Sequence, residues 1–201
     1  MKLAFLYAGQ GSQHAGMGRD LYEANADFRA AFDAAHLDFD LKTVCFDDPD
    51  GVINQTQYTQ PCMVAFAVGM TAALYAKGIR PEYAAGLSLG EYSALNAAGV
   101  LDAATTVELV AFRGKAMAKA AEGIECGMTA VMMLDRDKLQ ACCDQASALG
   151  VVQICNYNCP GQLVIGGEKA AVDKASELAK AAGAKRCIPL KVSGPFHTSL
   201  M

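Results

Sequence analysis

Two glycines frame a serine at residues 86–90, Gly-Leu-Ser-Leu-Gly, and few backbone arrangements accommodate this pattern in its context. A short apolar run at residues 83–85 precedes it, and a segment with helical character follows from Leu89 to Ala98. In a strand-to-helix turn of this kind, a nucleophile elbow, the glycines let the backbone hold a serine hydroxyl clear of its own chain. The pattern predicts that Ser88 is an activated nucleophile. The alternative is a glycine-rich turn with a structural role only.

The composition indicates a water-soluble protein with a substantial core. With 201 residues, 53% of them hydrophobic, the chain is long enough for one large domain or for a core with a small inserted domain. No apolar run approaches the ~20 residues needed to cross a bilayer, so we expect no membrane association. The net charge of −4 argues against nucleic acid as a partner, because such binding needs clustered Lys and Arg.

Eight cysteines are scattered along the chain, with no Cys-x-x-Cys pair and no histidine at ligand spacing. We therefore expect neither a zinc site nor a disulfide framework, and most thiols should be small core residues in a reducing cytoplasm. A cysteine nucleophile is disfavoured because no cysteine lies in a glycine-flanked turn.

The order of the predicted elements indicates an α/β fold in two parts. Up to about Gly123 we expect strand, helix, helix, strand, elbow, helix, helix. From Gly127 six short elements follow in the order βαββαβ, which is the order of a ferredoxin-like split βαβ unit. The expected strands of this unit cover residues 128–134, 151–155, 162–165 and 186–192, and its helices cover 137–149 and 168–182.

Local signals set the bounds of three elements in the first part. The apolar run at residues 3–8 predicts a buried strand, and a long helix is expected to open with Pro61 in its first turn and to end before Gly78. Thr105 and Glu108 have the spacing of a capping box at the start of another helix, with Asp102 as the alternative start.

After residue 192 the chain leaves the βαββαβ unit and passes through Gly-Pro-Phe-His at residues 194–197. This course predicts a large domain made of residues 1–123 and 193–201, with a small domain inserted at 124–192. Residues 198–201 resemble the start of a helix, where a compact domain rarely ends. We therefore expect the host core to continue and the given chain to be a truncated form.

A serine is a weak nucleophile at neutral pH and needs a base within hydrogen-bond reach. The chain has three histidines. His36 has the features of a surface residue, and no specific feature marks His14. His197 follows a Gly-Pro-Phe turn that would hold its imidazole in place, so it is the candidate base, with a purely structural histidine as the open alternative.

The stretch Gly-Gln-Gly-Ser-Gln at residues 9–13 directly follows the first predicted strand, where exposed backbone N–H groups can face the elbow. An oxyanion hole takes one N–H from the residue after the nucleophile, here Leu89. It takes another from a second loop, for which Gln10 is the candidate. The alternative is a plain glycine turn.

Arg113 narrows the chemistry that the serine could perform. On its predicted helix it shares a stripe with four apolar residues, Leu109, Val110, Ala116 and Met117, so we expect it to point at the core. A guanidinium stays charged and suits bidentate binding of a carboxylate, either one of the protein's own acids or one carried by a substrate. The adjacent Gly114 indicates close approach of another backbone.

Six motifs, in this order along the whole chain, resemble the malonyl-CoA:acyl carrier protein transacylases of fatty acid synthesis. Besides the stretches at residues 9–13 and 86–91, they are Thr-Gln-Pro at 59–61, Phe-Arg-Gly-Lys at 112–115, Asn-Cys-Pro-Gly-Gln at 158–162 and Gly-Pro-Phe-His at 194–197. The resemblance implies an α/β-hydrolase-like core with an inserted ferredoxin-like (βαββαβ) subdomain. It also implies a cytoplasmic acyltransferase that takes a coenzyme A thioester as substrate and needs no cofactor.

By this resemblance Ser88 is the nucleophile and His197 is its base in a Ser-His dyad. Arg113 binds the malonyl carboxylate, and Gln10 and Leu89 supply the oxyanion-hole N–H groups. Malonyl moves from malonyl-CoA to the serine as an ester and then to the phosphopantetheine thiol of acyl carrier protein. Two further positions, Gln60 and Asn158, resemble pocket-wall positions of the family without an assigned role. The carrier protein is acidic in this family, so five cations are candidate contacts: Lys115, Lys119, Lys185, Arg186 and Lys191.

Two departures from the family pattern bear on activity. Leu87 stands where the family usually has histidine. The segment that follows the catalytic histidine in the family, and that orients its imidazole, is absent from this sequence. The alternatives to the transferase are a serine esterase or thioesterase with the same elbow, and an inactive truncated fragment. The sequence is equally compatible with fatty acid synthesis, a polyketide pathway or malonate metabolism.

Overall fold

The computed structural model describes residues 2–190 and 192–201 and shows a mixed α/β fold. The chain divides into two compact units, one up to Ala116 and one from Met117 to Met201. Lys191, a candidate contact residue in the predicted strand 186–192, lies outside the described residues.

The first unit has the two predicted strands, with the elbow and two helices after the second strand as predicted, but three helices and a π-helical turn lie between the strands where two helices were expected. Its elements are β1 (Ala4–Tyr7), α1 (Arg19–Ala24), α2 (Ala26–Phe32), a π-helical turn (Thr43–Asp47), α3 (Thr56–Ala76), β2 (Tyr83–Gly86), α4 (Gly90–Ala97) and α5 (Ala103–Ala120), whose last turn belongs to the second unit. β1 and β2 are parallel, with Ala4 paired with Tyr83 and Tyr7 paired with Gly86. Because parallel strands end at the same edge, this register brings the loop after β1 next to the turn after β2.

The core of this unit forms where α3 packs against α2. Phe28 and Phe32 are fully buried, and their stacked rings lie 5.9 Å apart. Gly69 of α3 permits the contact, because a Cβ there would come within 2.8 Å of the Phe28 ring. Contrary to the expectation from apolar runs, α3 has the length and hydropathy of a membrane span. However, 61% of its apolar window is buried inside the protein, as in the central helix of a globular core.

Two expectations for the strands and helices of this unit are wrong. β1 is only half buried: Leu6 is 80% exposed, because α3 and α4 cover the opposite face, where the Tyr7 hydroxyl bonds the hydroxyl of Thr71. α3 begins at Thr56, so Pro61 lies inside the helix instead of in its first turn. Thr56 is 1% exposed, and burial of this additional turn outweighs the hydrogen bond that the proline removes.

The start of α5 also differs from the expected capping box. The helix begins at Ala103, and the Asp102 carboxylate accepts a hydrogen bond from the N–H of Thr105 at 2.7 Å. Asp102 is therefore the cap, which was the alternative start. Glu108 accepts instead from the backbone N–H of His36 at 3.0 Å, so it ties α5 to the segment after α2.

The second unit has the predicted order βαββαβ. Its elements are β3 (Cys126–Met132), α6 (Arg136–Ala146) with a 3-10 turn (Ser147–Leu149), β4 (Val152–Cys159), β5 (Gln162–Glu168), α7 (Lys169–Ala181) and β6 (Arg186–Pro189). The strand pairs described in this unit are all antiparallel, and the order of its sheet is β4-β5-β3-β6. Both helices bury their apolar faces on one side of the sheet, where Leu139, Ile165 and Val172 are no more than 1% exposed.

The opposite face of this sheet carries a small second cluster. Met128, Ala130 and Val164 pack there against Phe196, because alternate residues of a strand point to opposite faces. Residues 196–200 form turns and a bend, and the N–H of Met201 donates to the carbonyl of Thr198 at 3.1 Å, so the expected start of a helix at this point stays a prediction. The Thr198 hydroxyl donates to the carbonyl of Pro195 at 2.6 Å and closes the turn.

Candidate active site

Ser88 lies in the sharp turn between β2 and α4, as the glycine pattern predicts. Its φ is 53°, a left-handed conformation that is uncommon for a residue with a side chain. Both glycines are required by their contacts. A Cβ on Gly86 would overlap the backbone of Gly90, and a Cβ on Gly90 would overlap the carbonyl oxygen of Tyr7. The glycines therefore let α4 begin directly beside the ends of the two strands.

The N-terminus of α4 and the loop after β1 lie side by side at this turn. The N–H of Leu87 donates to the carbonyl of Tyr7 at 3.0 Å, and a Cβ on Gly9 would lie 3.0 Å from the Leu87 carbonyl oxygen. Leu89 is the N-terminal cap of α4, so its N–H lies ahead of the helical hydrogen-bond ladder. The two loops expected to supply oxyanion donors, one with Leu89 and one with Gln10, are thus neighbours.

Side chains hold these two loops in place. The Gln10 amide donates from Nε2 to the hydroxyl oxygen of Thr56, at 3.2 Å, and so ties its loop to the start of α3. Leu87 is 50% exposed, and its Cγ lies 3.3 Å from the position of a Cβ on Gly9. The family pattern has a histidine at position 87. In this chain the apolar side chain of Leu87 packs on the loop after β1 instead.

The guanidinium of Arg113 reaches Ser88 from α5. Its Nη2 donates to Ser88 Oγ at 3.2 Å, and its Nη1 donates to Gln60 Oε1 at 2.7 Å. The guanidinium carbon lies 5.6 Å from the ring centroid of Tyr92. Gln60 is 1% exposed, which makes it a well-fixed acceptor on α3. Four side chains from the elbow and three helices therefore meet at one point.

The hydrogen bond from Arg113 uses a lone pair of the serine oxygen and not its hydrogen. A hydroxyl has one hydrogen and two lone pairs, so Ser88 can accept from Arg113 and act as a donor at the same time. Among the residues that the structure describes, no carboxylate lies within ion-pair distance of this guanidinium. Of the two partners considered for Arg113, a carboxylate carried by a ligand therefore has the stronger case.

The buried face of α5 differs from the stripe predicted for it. Leu109 is 39% exposed and Ala116 is exposed, so Arg113 lies half-buried at the border of that face. The helix is rich in alanine, whose small apolar side chain is tolerated on either face. Alanine therefore does not indicate which face of the helix is buried. Gly114 does mark a close approach, because a Cβ there would lie 2.9 Å from the carbonyl oxygen of Thr56. The buried residues of the helix are Thr106, Val107, Val110, Ala111 and Gly114.

In the second unit, His197 occupies the turn in which the sequence predicts a firmly held imidazole. It is exposed, has a φ of 62°, and lies between the buried residues Phe196 and Thr198. A Cβ on Gly194 would lie 2.6 Å from the Phe196 ring, so the turn is tightly packed. The hydrogen bond between Thr198 and Pro195 closes the other side. The backbone is therefore fixed on both sides of the imidazole.

The remaining histidines and the buried thiols have other surroundings. His14 is exposed, with Nδ1 3.0 Å from the carbonyl oxygen of Ala15, and His36 is exposed. Burial raises the pKa of the Cys143 thiol to about 12 and that of Cys155 to about 11, so both are protonated and unreactive at neutral pH. All eight cysteines are free thiols. Over residues 2–190 and 192–201, no group of His, Cys, Asp and Glu side chains could hold a metal ion.

Two residues at this site have contacts that the sequence did not indicate. Gln60 matched a family position without an assigned role, and a buried polar residue on an apolar helix gives no sign of its partner. Tyr92 lies in the first turn of α4, which directly follows the turn at Ser88. This closeness in sequence to Ser88 is the signal by which Tyr92 could have been found.

The family follows from comparison with known proteins. The sequence pattern of the acyl transferase domain matches residues 4–200. The chain belongs to the acyl transferase domain family. This acyl transferase domain is 43% identical, over 203 residues, to the malonyl CoA-acyl carrier protein transacylase of Bacillus subtilis (strain 168). The alignment covers 100% of the chain and 64% of that protein, so the domain spans a little under two thirds of the relative's length.

Solved structures resemble the acyl transferase domain along its whole length. The crystal structure of MCAT from Streptococcus pneumoniae is 50% identical with a TM-score of 0.92, and the match covers 99% of this chain and 66% of that one. A malonyl-transacylase solved in complex with its type II PKS acyl-carrier protein is 40% identical with a TM-score of 0.94. That match covers 100% of this chain and 66% of the other.

Proposed function

We propose that this chain transfers a malonyl group from coenzyme A to the phosphopantetheine thiol of acyl carrier protein, through a malonyl ester on Ser88. The names of relatives at 40% and 43% identity support malonyl as the transferred acyl group. The acyl-carrier protein bound in one related structure supports the acceptor. The reaction uses a thioester substrate and no other cofactor, and takes place in the cytoplasm.

The domain assignment that goes with this proposal divides the chain by function. Residues 1–123 and 193–201 form an α/β-hydrolase-like catalytic domain, and residues 124–192 form an inserted ferredoxin-like domain. The strand, elbow and helix around Ser88 support the first assignment, and the βαββαβ order with sheet order β4-β5-β3-β6 supports the second.

The observation that carries the proposal is the hydrogen bond from the Arg113 guanidinium to Ser88 Oγ at 3.2 Å. A permanent cation beside the nucleophile favours acyl groups that bring a carboxylate, and the planar fork of arginine suits bidentate binding of that carboxylate. Malonyl carries its carboxylate two carbons from the thioester carbonyl. Ser88 can therefore attack the carbonyl while the neighbouring Arg113 binds the carboxylate. An esterase for neutral acyl chains would gain nothing from this cation.

In the first half-reaction, Ser88 Oγ attacks the thioester carbonyl while His197 takes up the serine proton. The oxyanion accepts hydrogen bonds from the N–H groups of Leu89 and Gln10, and losing one such donor typically costs about 3 to 4 kcal/mol of transition-state stabilisation. The C–S bond then breaks, and the proton on the imidazole passes to the coenzyme A sulfur. The malonyl ester remains on the serine, with its carboxylate on Arg113.

In the second half-reaction, the phosphopantetheine thiol gives its proton to His197 and its sulfur attacks the ester. The Ser88 oxygen leaves and regains the proton from the imidazole, so the enzyme returns to its starting state.

An acidic carrier protein needs exposed cations near the active site. Four of the proposed contacts are exposed, and one of them, Lys115, also forms an ion pair with Asp38. The other three are Lys119, Lys185 and Arg186.

A pulse of radiolabelled malonyl-CoA tests the nucleophile and the cation together. We expect peptide mapping to locate the label on Ser88, and Ser88→Ala to abolish it. Arg113→Ala should lower kcat/KM for malonyl transfer about 100-fold, because each hydrogen bond to a charged group contributes about 1.5 to 3 kcal/mol. Transfer of acetyl from acetyl-CoA, which has no carboxylate, should change by less than about threefold.

Arg80→Ala is the matched control for the loss of a guanidinium. Arg80 is exposed and lies over the ring of Tyr75, so its removal should leave the transfer of both acyl groups unchanged. An equal loss of malonyl and acetyl transfer in Arg113→Ala would contradict the malonyl assignment. Hydrolysis of simple nitrophenyl esters without transfer to a thiol acceptor would favour the esterase.

A further inference from the structure

Tyr92 is the one aromatic contact of the Arg113 guanidinium that the structure describes. The ring centroid lies 5.6 Å from the guanidinium carbon, which is within the range of a cation–π interaction. Tyr92 belongs to α4, two residues into the helix that starts after the elbow, and it packs against the core of the first unit. The ring is therefore held by its own helix and core, independently of the guanidinium.

The two hydrogen bonds of Arg113 leave its orientation incompletely determined. Gln60 Oε1 and Ser88 Oγ each accept a hydrogen bond from a terminal nitrogen of Arg113. In the proposed reaction, Ser88 Oγ is also the atom that reacts. Once an acyl group occupies Ser88, the bond to Gln60 is the remaining hydrogen bond from the guanidinium to the described part of the protein. A guanidinium held at one nitrogen can still turn about that bond. A ring on α4 adds a second fixed partner that does not take part in the reaction.

An aromatic ring is also the partner that interferes least with an incoming carboxylate. A protein carboxylate beside Arg113 would neutralise the cation and repel an anionic substrate, and over the described part of the chain no ion pair involves this residue. The face of a ring attracts the guanidinium through its quadrupole but carries no net charge. It therefore holds the cation and leaves its charge for the ligand.

We propose that Tyr92 is a positioning residue, which holds the Arg113 guanidinium in the orientation that binds the acyl carboxylate and so contributes to selectivity for anionic acyl groups. This inference rests on the proposed function of Arg113. The ring face provides the interaction, and the tyrosine hydroxyl is not required. Tyr92→Phe should therefore keep this role, whereas Tyr92→Leu, which has an apolar side chain without a ring, should lose it.

Steady-state kinetics with malonyl-CoA and acetyl-CoA separates this role from simple packing. Tyr92→Leu should raise KM for malonyl-CoA about 3- to 30-fold with kcat nearly unchanged, because a misplaced guanidinium loses binding that is equal in the ground and transition states. KM for acetyl-CoA should not change. Tyr92→Phe should restore the malonyl value, and Tyr92→Leu should have no further effect in an Arg113→Ala background.

Tyr75→Leu is the matched control, since Tyr75 also lies under an arginine, Arg80, but contacts neither Ser88 nor Arg113. It removes a cation–π pair and a hydrogen bond to the Ala97 carbonyl, so it reports on lost stability alone. We expect it to leave the malonyl-to-acetyl selectivity unchanged. An equal change of selectivity in Tyr75→Leu would overturn the inference, because the effect would then come from stability.

A spectroscopic measurement tests the contact without relying on turnover. In an NMR spectrum of the arginine Nε–Hε groups, the Arg113 signal can be assigned by its loss in Arg113→Lys. This signal should show an upfield ring-current shift from Tyr92. The shift should persist in Tyr92→Phe and disappear in Tyr92→Leu. An unchanged signal in Tyr92→Leu would overturn the inference.

The proposed function and this inference fail in different ways. If Arg113→Ala leaves malonyl transfer intact, the carboxylate site itself is wrong, and Tyr92 loses its role in selectivity with it. If Arg113→Ala selectively loses malonyl while Tyr92→Leu equals Tyr92→Phe, the site stands and only the role of Tyr92 is overturned.

Discussion

Contacts with the neighbouring backbone, and not the conformational preference of serine, hold Ser88 in its turn. Its φ of 53° is a left-handed conformation that costs an L-residue roughly 1 to 2 kcal/mol. The glycines at 86 and 90 make the turn possible, because each lies where a Cβ would overlap backbone atoms. Substitutions at these two glycines should therefore be among the least tolerated in the first unit.

We expect Gly90→Ala to lower the free energy of unfolding by more than about 3 kcal/mol, because the added methyl overlaps the carbonyl oxygens of Tyr7 and Ala8. Gly99, after the end of α4, is the matched control. It has a φ of 74° and nothing within 4 Å of its Cβ position, so Gly99→Ala should cost only about 1 kcal/mol. Urea unfolding followed by circular dichroism measures both. Similar losses would show that packing against β1 does not determine the turn.

Between elements, the approach of α5 to the first turn of α3 brings Arg113 to Gln60 and to Ser88. The approach is possible because Gly114 has no side chain at the crossing, where the Thr56 carbonyl oxygen is 2.9 Å from the Cβ position. Arg113 lies next to this crossing, at the border of the buried face. Its position therefore depends on the distance between two helices and not on its own helix alone.

Gly114→Ala tests that dependence by the sign of its effect. Helix propensity alone predicts that alanine would stabilise α5 by about 1 kcal/mol. The contact with Thr56 predicts the opposite, a loss of about 1 to 3 kcal/mol, together with reduced malonyl transfer as Arg113 shifts. Thermal unfolding and the malonyl assay measure the two effects. Ala116→Gly, at an exposed position of the same helix, should cost about 1 kcal/mol without changing acyl selectivity. A stabilised Gly114→Ala would contradict the close approach.

Across the whole molecule, each of the two units has its own core, and each core contains cysteines. Cys45 and Cys62 lie in the core of the first unit, and Cys142 and Cys143 lie in the core of the second. A hydrogen bond with Cys45, followed by burial, raises the pKa of the Cys62 thiol. Burial alone is the main cause for Cys143 and for Cys155, whose pKa values rise to about 12 and about 11.

These raised pKa values predict a loss of stability at alkaline pH. The unfolded chain releases thiol protons near pH 8.5, whereas the folded protein retains them up to about pH 11 to 12. The stabilisation is therefore complete below about pH 8.5 and is lost as the pH rises towards 12. Urea midpoints at pH 7, 9 and 10 should fall, and they should fall less steeply in Cys143→Ala. Cys159→Ser, at an exposed position, should keep the slope of the parent protein. A slope unaffected by Cys143→Ala would contradict the prediction.

Features that depend on neighbours in sequence were predictable. The turn at Ser88 follows from glycines two residues away on either side, and the βαββαβ order follows from short apolar runs and turn residues. Features set by neighbours in space were not. The half-exposed face of β1 at Leu6 and the border position of Arg113 depend on which surface another element covers. The early start of α3 at Thr56 depends on burial of a polar turn that resembles a loop in the sequence.

The local sequence alone determines that Ser88 lies in a strained turn between a strand and a helix, because φ preferences and apolar spacing act over a few residues. Packing decides which groups meet that serine. Arg113 is 25 positions from Ser88 and 53 from Gln60, and these contacts form only because Gly114 lets two helices approach closely. No short-range pattern specifies such a distance, since it results from the shapes of both helix surfaces at once.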